Sequence, residues 1–370
     1  MSDENATTPM TVISGPLGAG KTTLVNRLLD DPGDRRIAVV VNDMGEVNVD
    51  AELLAGAADD DVIDLSNGCI CCRLQDDLVT QVSGLATERS FDHLVVEASG
   101  ISEPIPIART LTEGTAEGEP PNGVHLDTTV SVIDAYGFWK AFDPSASLPD
   151  GAPEPERPLT EVLVDQIEFC DVLLLNKCDL VPEEELDAVE AAIRELQPRA
   201  TIHRTTHSEV DPGTVLGTGA FDFAAAKRRQ GWKRTLAEGD DADGHGEHAH
   251  GDRPAAAAHG VGSFVYRRGQ PFHPARFDAW LDEWDGDIVR MKGFAWVASR
   301  QETVIGVSQA GPAAQAGPIG EWGADDPQTR LVVIGRNLDS EAITARLDDC
   351  LADDAEREAS YPDDPLPRES

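Results

Sequence analysis

Short apolar runs recur along the first half of the chain, and stretches of mixed polarity that are long enough for helices separate them. The runs occupy residues 10–14, 37–41, 62–65, 93–96, 129–133 and 172–175. Apolar runs of this length without strict alternation are typical of strands that are buried on both faces. Buried strands that alternate with helices predict an α/β fold, with a mainly parallel sheet flanked by helices.

A second segment with its own apolar pattern covers residues 262–352. Apolar runs typical of strands lie at residues 264–266, 293–297, 303–307 and 331–334. The amphipathic stretch 276–284 predicts a helix between the first two runs. Strands mixed with few helices predict a smaller C-terminal α+β domain.

The remaining segments lack a pattern that would build a core. Residues 1–9 and the acidic, proline-containing residues 353–370 are expected to be disordered. Residues 236–261 are poor in bulky apolar side chains and rich in histidine, which predicts a flexible linker. The first domain then covers residues 10–235.

Charge narrows the class of protein further. The 370 residues include 68 acidic and 30 basic side chains, for a formal net charge of −38. Such a surface repels polyanions, which argues against nucleic acid and anionic membranes as partners. Only six of the basic side chains are lysines. An excess of acid with few lysines suits a halophilic cytoplasm, where the Debye length falls to about 3 Å in molar salt; an acidic protein of an ordinary cytoplasm is the alternative.

Nothing in the sequence predicts export or a membrane span. No stretch approaches about 18 consecutive apolar residues. The first ten residues, MSDENATTPM, have neither a basic segment nor an apolar one. We therefore expect a cytoplasmic protein.

A glycine-rich segment after the first apolar run fits the phosphate-binding pattern G-x-x-x-x-G-K-[ST]. It consists of Gly15, Pro16, Leu17, Gly18, Ala19, Gly20, Lys21 and Thr22, and Thr23 follows it. Its glycines allow backbone N–H groups to wrap phosphates at a helix N-terminus. Lys21 neutralises phosphate charge and Thr22 can ligate Mg²⁺. The segment predicts a P-loop NTPase fold that binds a nucleoside triphosphate and Mg²⁺.

The tetrapeptide Asn176-Lys177-Cys178-Asp179 follows the apolar run at 172–175. In P-loop GTPases the pattern N-K-x-D at a strand end selects guanine, because the carboxylate accepts hydrogen bonds from N1 and N2 of the base. A carboxylate left unpaired by the wrong base would cost a few kcal/mol. The sequence therefore predicts that Asn176, Lys177 and Asp179 bind GTP.

Glu97 ends the apolar run at 93–96, and Gly100 follows it three residues later. An acid at this place resembles a Walker B carboxylate near Mg²⁺ or the attacking water, with the Gly100 N–H facing the γ-phosphate. Together with Lys21, these two residues are the predicted catalytic group. The alternative for Glu97 is an ordinary carboxylate at a strand end.

Cys69, Cys71 and Cys72 lie between the run at 62–65 and a helical pattern. Three thiols at a loop-to-helix junction can converge on one ion, and the helix N-terminus favours the thiolates that a metal needs. Sulfur ligands select Zn²⁺ or Cu⁺, while Co²⁺ and Ni²⁺ are also compatible. We expect Zn²⁺; the alternative is a redox-active or simply packed set of thiols.

Two weaker candidates for metal ligands lie elsewhere. Glu46 follows the run at 37–41, where a first switch loop is expected, and can supply a fourth, oxygen ligand to the zinc. His245, His248 and His250 can bind metal loosely and raise its local concentration. A solvated loop acid and a solvated linker are the respective alternatives.

These motifs, in this order, resemble the CobW family of metal-chaperone GTPases, relatives of UreG and HypB. The resemblance rests on residues 41–48, the C-x-C-C segment 66–72, residues 97–100 and residues 176–179, and it continues at 271–276 and 290–296. Residues that depart from the usual family pattern are Pro16, Asp43 and Met44. These departures remove no thiolate and no phosphate-binding residue. With the acidic composition, the resemblance suggests a haloarchaeal member.

The resemblance implies a GTP-hydrolysing metallochaperone that holds Zn²⁺ at the C-x-C-C motif and delivers it to a client metalloprotein. A homodimer that forms with nucleotide or metal is compatible with it. Delivery of cobalt or nickel, for cobalamin or metalloenzyme assembly, remains an alternative because the same thiolates bind these ions. A non-catalytic zinc sensor or store is the alternative from another class.

Overall fold

The computed structural model describes most of the two predicted domains. The described residues are 7–42, 62–64, 71–88, 90–115, 118–142, 159–222, 261–283, 286–323 and 325–368. The predicted linker at 236–261 lies outside them except for its last residue, and so does most of the N-terminal segment 1–9.

Seven strands of the first domain form one sheet, in which all described pairings are parallel. They are β1 (Thr8–Ser14), β2 (Ile37–Asn42), β3 (Val62–Asp64), β4 (His93–Ala98), β5 (Val124–Asp134), β6 (Val172–Asn176) and β7 (Thr201–Arg204). Their order across the sheet is β3-β2-β4-β1-β5-β6-β7. The carboxyl ends of these strands therefore share one edge, where α/β sheets bind ligands.

Helices connect the strands of this sheet. They are α1 (Lys21–Asp30), α2 (Cys71–Glu88), α3 (Pro104–Glu113), α4 (Leu159–Glu168) and α5 (Glu183–Leu196). Every residue of β4 and β6 is buried, as expected for strands covered on both faces. The predicted α/β fold is confirmed.

The pattern of apolar runs missed β7 and the first residues of β5. β7 has the sequence T-I-H-R and lies at the sheet edge, where none of its residues is buried. An edge strand without a buried face needs no apolar run, so the pattern carried no signal for it.

The C-terminal domain is an antiparallel sheet with helices on one face, in agreement with the predicted α+β class. Its strands are β8 (Val261–Arg268), β9 (Ile288–Ala295), β10 (Thr303–Ala310), β11 (Ala313–Glu321) and β12 (Thr329–Arg336), in the order β11-β10-β9-β12-β8. Its helices are α6 (Pro274–Asp282), α7 (Ser340–Asp348) and the short α8 (Asp354–Arg357). β11 consists mainly of Ala and Gly, and its composition therefore gave no strand signal.

The expectation of a disordered tail at 353–370 differs from the structure, which describes this segment to residue 368 as packed chain. Asp353 forms a capping box with Glu356 at the start of α8. Leu366 is buried in the core of the C-terminal domain, and Arg368 pairs with Ala316 of β11 through two backbone hydrogen bonds. Leu366, this strand bridge and ion pairs such as Asp364 with Arg300 and Glu356 with Arg276 together hold an otherwise acidic segment.

The two domains share a buried boundary around α4. All residues of α4 from Thr160 to Glu168 are buried. Leu163, Val164 and Ile167 belong to the same core cluster as residues of β9, β10 and β12. Within this boundary the Arg290 guanidinium, which is 1% exposed, donates to Glu168 Oε1 at 3.0 Å and lies 3.7 Å from Asp165 Oδ1. Charges removed from water in this way need their partners.

Within the part of the chain that the structure describes, no helix is both long enough and apolar enough to cross a bilayer.

The Arg290 pair gives a test of the domain boundary. Replacing Arg290 by Met removes the buried cation beside Glu168 and Asp165 and leaves Glu168 with Lys292 Nζ at 3.9 Å, so we expect the free energy of unfolding to fall by about 3 kcal/mol. Urea denaturation of the full chain measures this change. Arg109→Ala removes an exposed pair with Glu113 and should cost at most about 0.5 kcal/mol. Equal losses of unfolding free energy in the two variants would contradict a stabilising role of Arg290 at the domain boundary.

Candidate nucleotide and metal site

The predicted phosphate loop connects β1 to α1, the context that its motif requires. Gly15 has a φ of 138°, and a Cβ there would lie 2.1 Å from the Val132 carbonyl oxygen of the neighbouring strand. Gly20 has a φ of 113°, and its Cβ would lie 2.4 Å from Asn176 Nδ2. Only glycine fits at either position, because both the left-handed backbone and the close contacts exclude a side chain.

Lys21 is almost fully buried, and its ammonium group binds backbone carbonyl groups of the phosphate loop. Lys21 Nζ donates to the carbonyl oxygens of Gly15 at 3.0 Å and Pro16 at 3.2 Å. These bonds hold the ammonium group against the backbone of the phosphate loop. A phosphate bound there would meet a lysine that is already in position.

Asn176 fastens the phosphate loop to the strand that carries the N-K-x-D motif. Its Nδ2 donates to the Ala19 carbonyl oxygen at 2.8 Å. Its Oδ1 accepts from the Ser208 N–H at 2.8 Å and from Thr205 Oγ1 at 3.2 Å. Ser208 Oγ in turn donates to the Gly20 carbonyl oxygen at 2.9 Å. The loop after β7 is therefore part of the same network.

The other two residues of the motif point away from this network. Lys177 has a φ of 61°, and its Nζ forms an ion pair with Asp134 Oδ2 at 2.8 Å. Asp179 lies in a short turn and is exposed. Lys177 is held by Asp134 at the end of β5, and the exposed Asp179 carboxylate is accessible to a base.

Glu97 lies at the end of β4 and is 1% exposed. Its Oε1 accepts a hydrogen bond from Thr22 Oγ1 at 2.8 Å. A hydroxyl and a carboxylate beside a phosphate loop are hard oxygen groups of the kind that Mg²⁺ prefers. The predicted Mg²⁺ ligand and the predicted Walker B acid are therefore in direct contact.

Gly100 brings the segment after β4 against the phosphate loop. A Cβ on Gly100 would lie 2.6 Å from the Leu17 nitrogen and 2.7 Å from Leu17 Cγ. The two backbones approach this closely only because residue 100 has no side chain. Residue 100 is therefore in direct contact with the phosphate loop.

The predicted thiolate ligands lie at the margin of the described residues. Helix α2 begins at Cys71, so Cys71 and Cys72 occupy its first turn. Cys69, Glu46, His245, His248 and His250 lie outside the described residues. The predicted loop-to-helix junction agrees with the start of α2, and the metal ligands stay a prediction.

The other cysteines behave as packed side chains. Cys170 and Cys350 are buried and Cys178 is half-buried. Burial raises the pKa of the Cys350 thiol to about 11 and also raises that of Cys178. Raised pKa values keep these thiols protonated, and a protonated thiol is a poor metal ligand.

Sequence reasoning missed Thr205, Ser208 and Asp134 as parts of the site. Ser208 is fully buried with a φ of 55°, and Thr205 is 5% exposed. Both follow β7, the strand that the apolar pattern did not reveal. Polar residues at the carboxyl end of a parallel strand are the signal that would have found them, once that strand was known.

Substitutions at Asn176 and Asp179 distinguish a residue that stabilises the fold from one that recognises the nucleotide. Asn176→Ala removes the bonds to Ala19, Thr205 and Ser208 and leaves buried backbone groups unsatisfied, so we expect a loss of about 2–3 kcal/mol in the free energy of unfolding. Asp179→Ala changes an exposed side chain and should stay within about 0.5 kcal/mol. Urea denaturation without nucleotide measures both. A stable Asn176→Ala variant would refute the network described above.

Two family models match the chain. One, described as CobW/HypB/UreG, nucleotide-binding domain, matches residues 9–204, and the other, described as Cobalamin synthesis protein cobW C-terminal domain, matches residues 261–351. Each match lies within one of the two domains described above.

Curated relatives align over most of the chain. Zinc-regulated GTPase metalloprotein activator 1 of Dictyostelium discoideum is 36% identical over 94% of this chain and 80% of the relative. Zinc chaperone CobW of Sinorhizobium sp is 30% identical over 92% of this chain and 96% of the relative. Among solved structures, the alignment with Zn(II)-bound YjiA GTPase from E. coli covers 94% of this chain and 99% of the YjiA chain. The sequence identity is 20% and the TM-score is 0.43. The chain belongs to the CobW family of P-loop GTPases.

Proposed function

We propose that this GTPase is a metallochaperone that binds Zn²⁺ at the C-x-C-C segment and delivers it to a client metalloprotein under the control of the bound nucleotide. The strand order β3-β2-β4-β1 carries the proposal. Because these strands are parallel, the segments that lead to Cys71 and to Glu46 leave the same sheet edge as Glu97 and the phosphate loop. This adjacency supports a metal site next to the nucleotide site.

For the hydrolysis step we assign roles to Lys21, Glu97 and Gly100. Lys21 would exchange its bonds with loop carbonyls for bonds with phosphate oxygens. Glu97 holds the Thr22 hydroxyl, which would ligate Mg²⁺, and bound Mg²⁺ neutralises phosphate charge. Gly100 would donate its N–H toward the γ-phosphate. Its contact with Leu17 supports a direct response to that group.

For the metal we assign Cys69, Cys71 and Cys72 as thiolate ligands, with Glu46 as a fourth. Thiolates alone would also accept cobalt or nickel. The names of the relatives, zinc chaperone and zinc-regulated activator, favour zinc for this chain. His245, His248 and His250 would raise the local concentration of the ion before it reaches the thiolates.

For the setting we propose a cytoplasm of high salt. A net charge of −38 opposes the binding of a nucleotide polyanion at long range. Molar salt shortens the Debye length to about 3 Å and removes most of that opposition. We expect the affinity for GTP to rise with salt before specific ion competition sets in.

A homodimer that forms with nucleotide or metal would involve the same sheet edge. Leu17, Tyr136 and Leu180 are exposed side chains in the segments that follow the adjacent strands β1, β5 and β6. Exposed apolar groups around one edge support an interface there.

Selection of guanine is tested with inosine triphosphate, which lacks the exocyclic N2 amine. The Asp179 carboxylate would accept a hydrogen bond from N2, so we expect GTP to bind about tenfold or more tightly than inosine triphosphate. Asp179→Ala should remove most of this preference, as measured by isothermal titration calorimetry.

The control for this test is Glu184→Ala, which removes an exposed charge of the same sign from α5. It relieves repulsion of the nucleotide as Asp179→Ala does, and it should leave the ratio of the two affinities unchanged. A preserved ratio in Asp179→Ala would contradict the role of Asp179.

Nucleotide-gated zinc binding is tested by competition with a chromophoric zinc chelator. We expect the zinc affinity with a non-hydrolysable GTP analogue to differ from that with GDP by a factor of about 5–150. The double variant Cys71→Ser and Cys72→Ser should lose tight zinc binding, while Cys350→Ala should keep it. Equal zinc affinities in the two nucleotide states would refute gating.

A further inference from the structure

Helix α4 carries polar side chains toward two different parts of the molecule. On one side, Gln166 Nε2 donates to the carbonyl oxygens of Gly100 at 3.3 Å and Ser102 at 3.2 Å. The Gln166 side chain is fully buried. Gln166 therefore binds the segment that follows β4 through two of its carbonyl groups.

That segment lies between the phosphate loop and α3. Gly100 touches Leu17 on the loop side, as described above. The Ser102 N–H donates to the Ser99 carbonyl oxygen at 3.0 Å, which closes a turn just before Pro104 begins α3. Gln166 thus bonds to two carbonyl groups of a turn whose other side rests on the phosphate loop.

A neighbouring face of α4 bonds to the C-terminal domain. Glu161, Asp165 and Glu168 follow the spacing i, i+4, i+7, which places them along one face of a helix. Glu168 and Asp165 meet Arg290 of β9, and the Gln315 amide of β11 donates to Glu161 Oε2 at 3.3 Å. The second domain is therefore attached to the same rigid helix as Gln166.

One acceptor of the Gln166 amide is unused. Among the described residues, Oε1 is buried without a hydrogen-bond partner. A buried acceptor without a partner is costly, and a backbone N–H from a rearranged turn would satisfy it. The side chain can therefore support a second arrangement of residues 99–102.

We propose that Gln166 is a positioning residue that couples the Gly100 turn to the C-terminal domain through α4. When the turn moves with the γ-phosphate, the bonds of Gln166 shift α4, and the carboxylates of α4 carry that shift to Arg290 and β9. The inference rests on the proposed role of Gly100. It adds a route by which the bound nucleotide affects the conformation of the C-terminal domain.

Gln197 provides a matched control for a buried amide that holds α4 without bonding to the turn. It is also buried, its Nε2 donates to the carbonyl oxygens of Glu168 at 2.5 Å and Cys170 at 3.2 Å, and its Oε1 has no described partner. It contacts the end of α4 and makes no described bond to residues 99–102. Gln166→Met and Gln197→Met remove equivalent bonds, and only the first touches the turn.

The test uses the full chain and two readouts that need no zinc. We expect Gln166→Met to lower kcat for GTP hydrolysis about tenfold through misplacement of the turn, with GDP affinity within about twofold of the parent chain. Hydrogen exchange of a peptide covering β9 should differ between a GTP analogue and GDP in the parent chain and lose that difference in Gln166→Met. Gln197→Met should keep both properties.

The proposal is overturned if Gln166→Met keeps the exchange difference, if Gln197→Met loses it equally, or if the parent chain shows none. Should Gln166→Met not fold, Glu168→Gln tests the other end of the route. It keeps an acceptor for Arg290 and removes the charge, so we expect a reduced exchange difference in β9, and an unchanged one refutes the coupling. A failure of zinc gating would refute the proposed chaperone function and leave these results unaffected.

Discussion

Close packing against glycine backbone at the phosphate loop is the constraint on which the rest of the site depends. Gly15 lies against β5, Gly20 against Asn176 and Gly100 against Leu17. In each pair a single methyl group would collide with a neighbour. Backbone N–H groups can bind a polyanion without adding mobile positive side chains, and this matters in a chain with a net charge of −38. The three contacts also join β1, β4, β5 and β6 at one point.

The positive side chains of the protein are used for structure to a large extent. Arg204 contacts the carboxylates of Glu183, Asp187 and Glu190, and Arg290 holds the domain boundary. A guanidinium can meet several carboxylates at once, whereas an ammonium group is a single point of charge. The excess of arginine over lysine therefore has a local cause in these pairs, in addition to any adaptation to salt. The charged side chains that are not used in such pairs are predominantly Asp and Glu.

The parts of the fold that have apolar runs could be predicted from the sequence, and the parts without them could not. The buried strands β4 and β6 gave clear signals, and so did the phosphate loop and Asn176, whose residue types are fixed by contact with backbone. β7 and β11 lie at sheet edges and gave none, so Ser208 and Thr205 were missed with β7. The packing of the tail was not predicted, because composition counts its acids and reveals neither their partners, such as Arg300 for Asp364, nor the burial of Leu366. Gln166 was invisible because a buried amide in a helix has no sequence signature.

The complete burial of α4 has a consequence for how the protein folds. A helix that lacks an exposed face between Thr160 and Glu168 cannot finish its packing until both sheets are present. In a first domain made alone, Asp165 and Glu168 would lose Arg290, and Glu161 would lose the Gln315 amide. The two domains should therefore unfold in one cooperative transition, although the sequence divides them and a long segment of chain joins them.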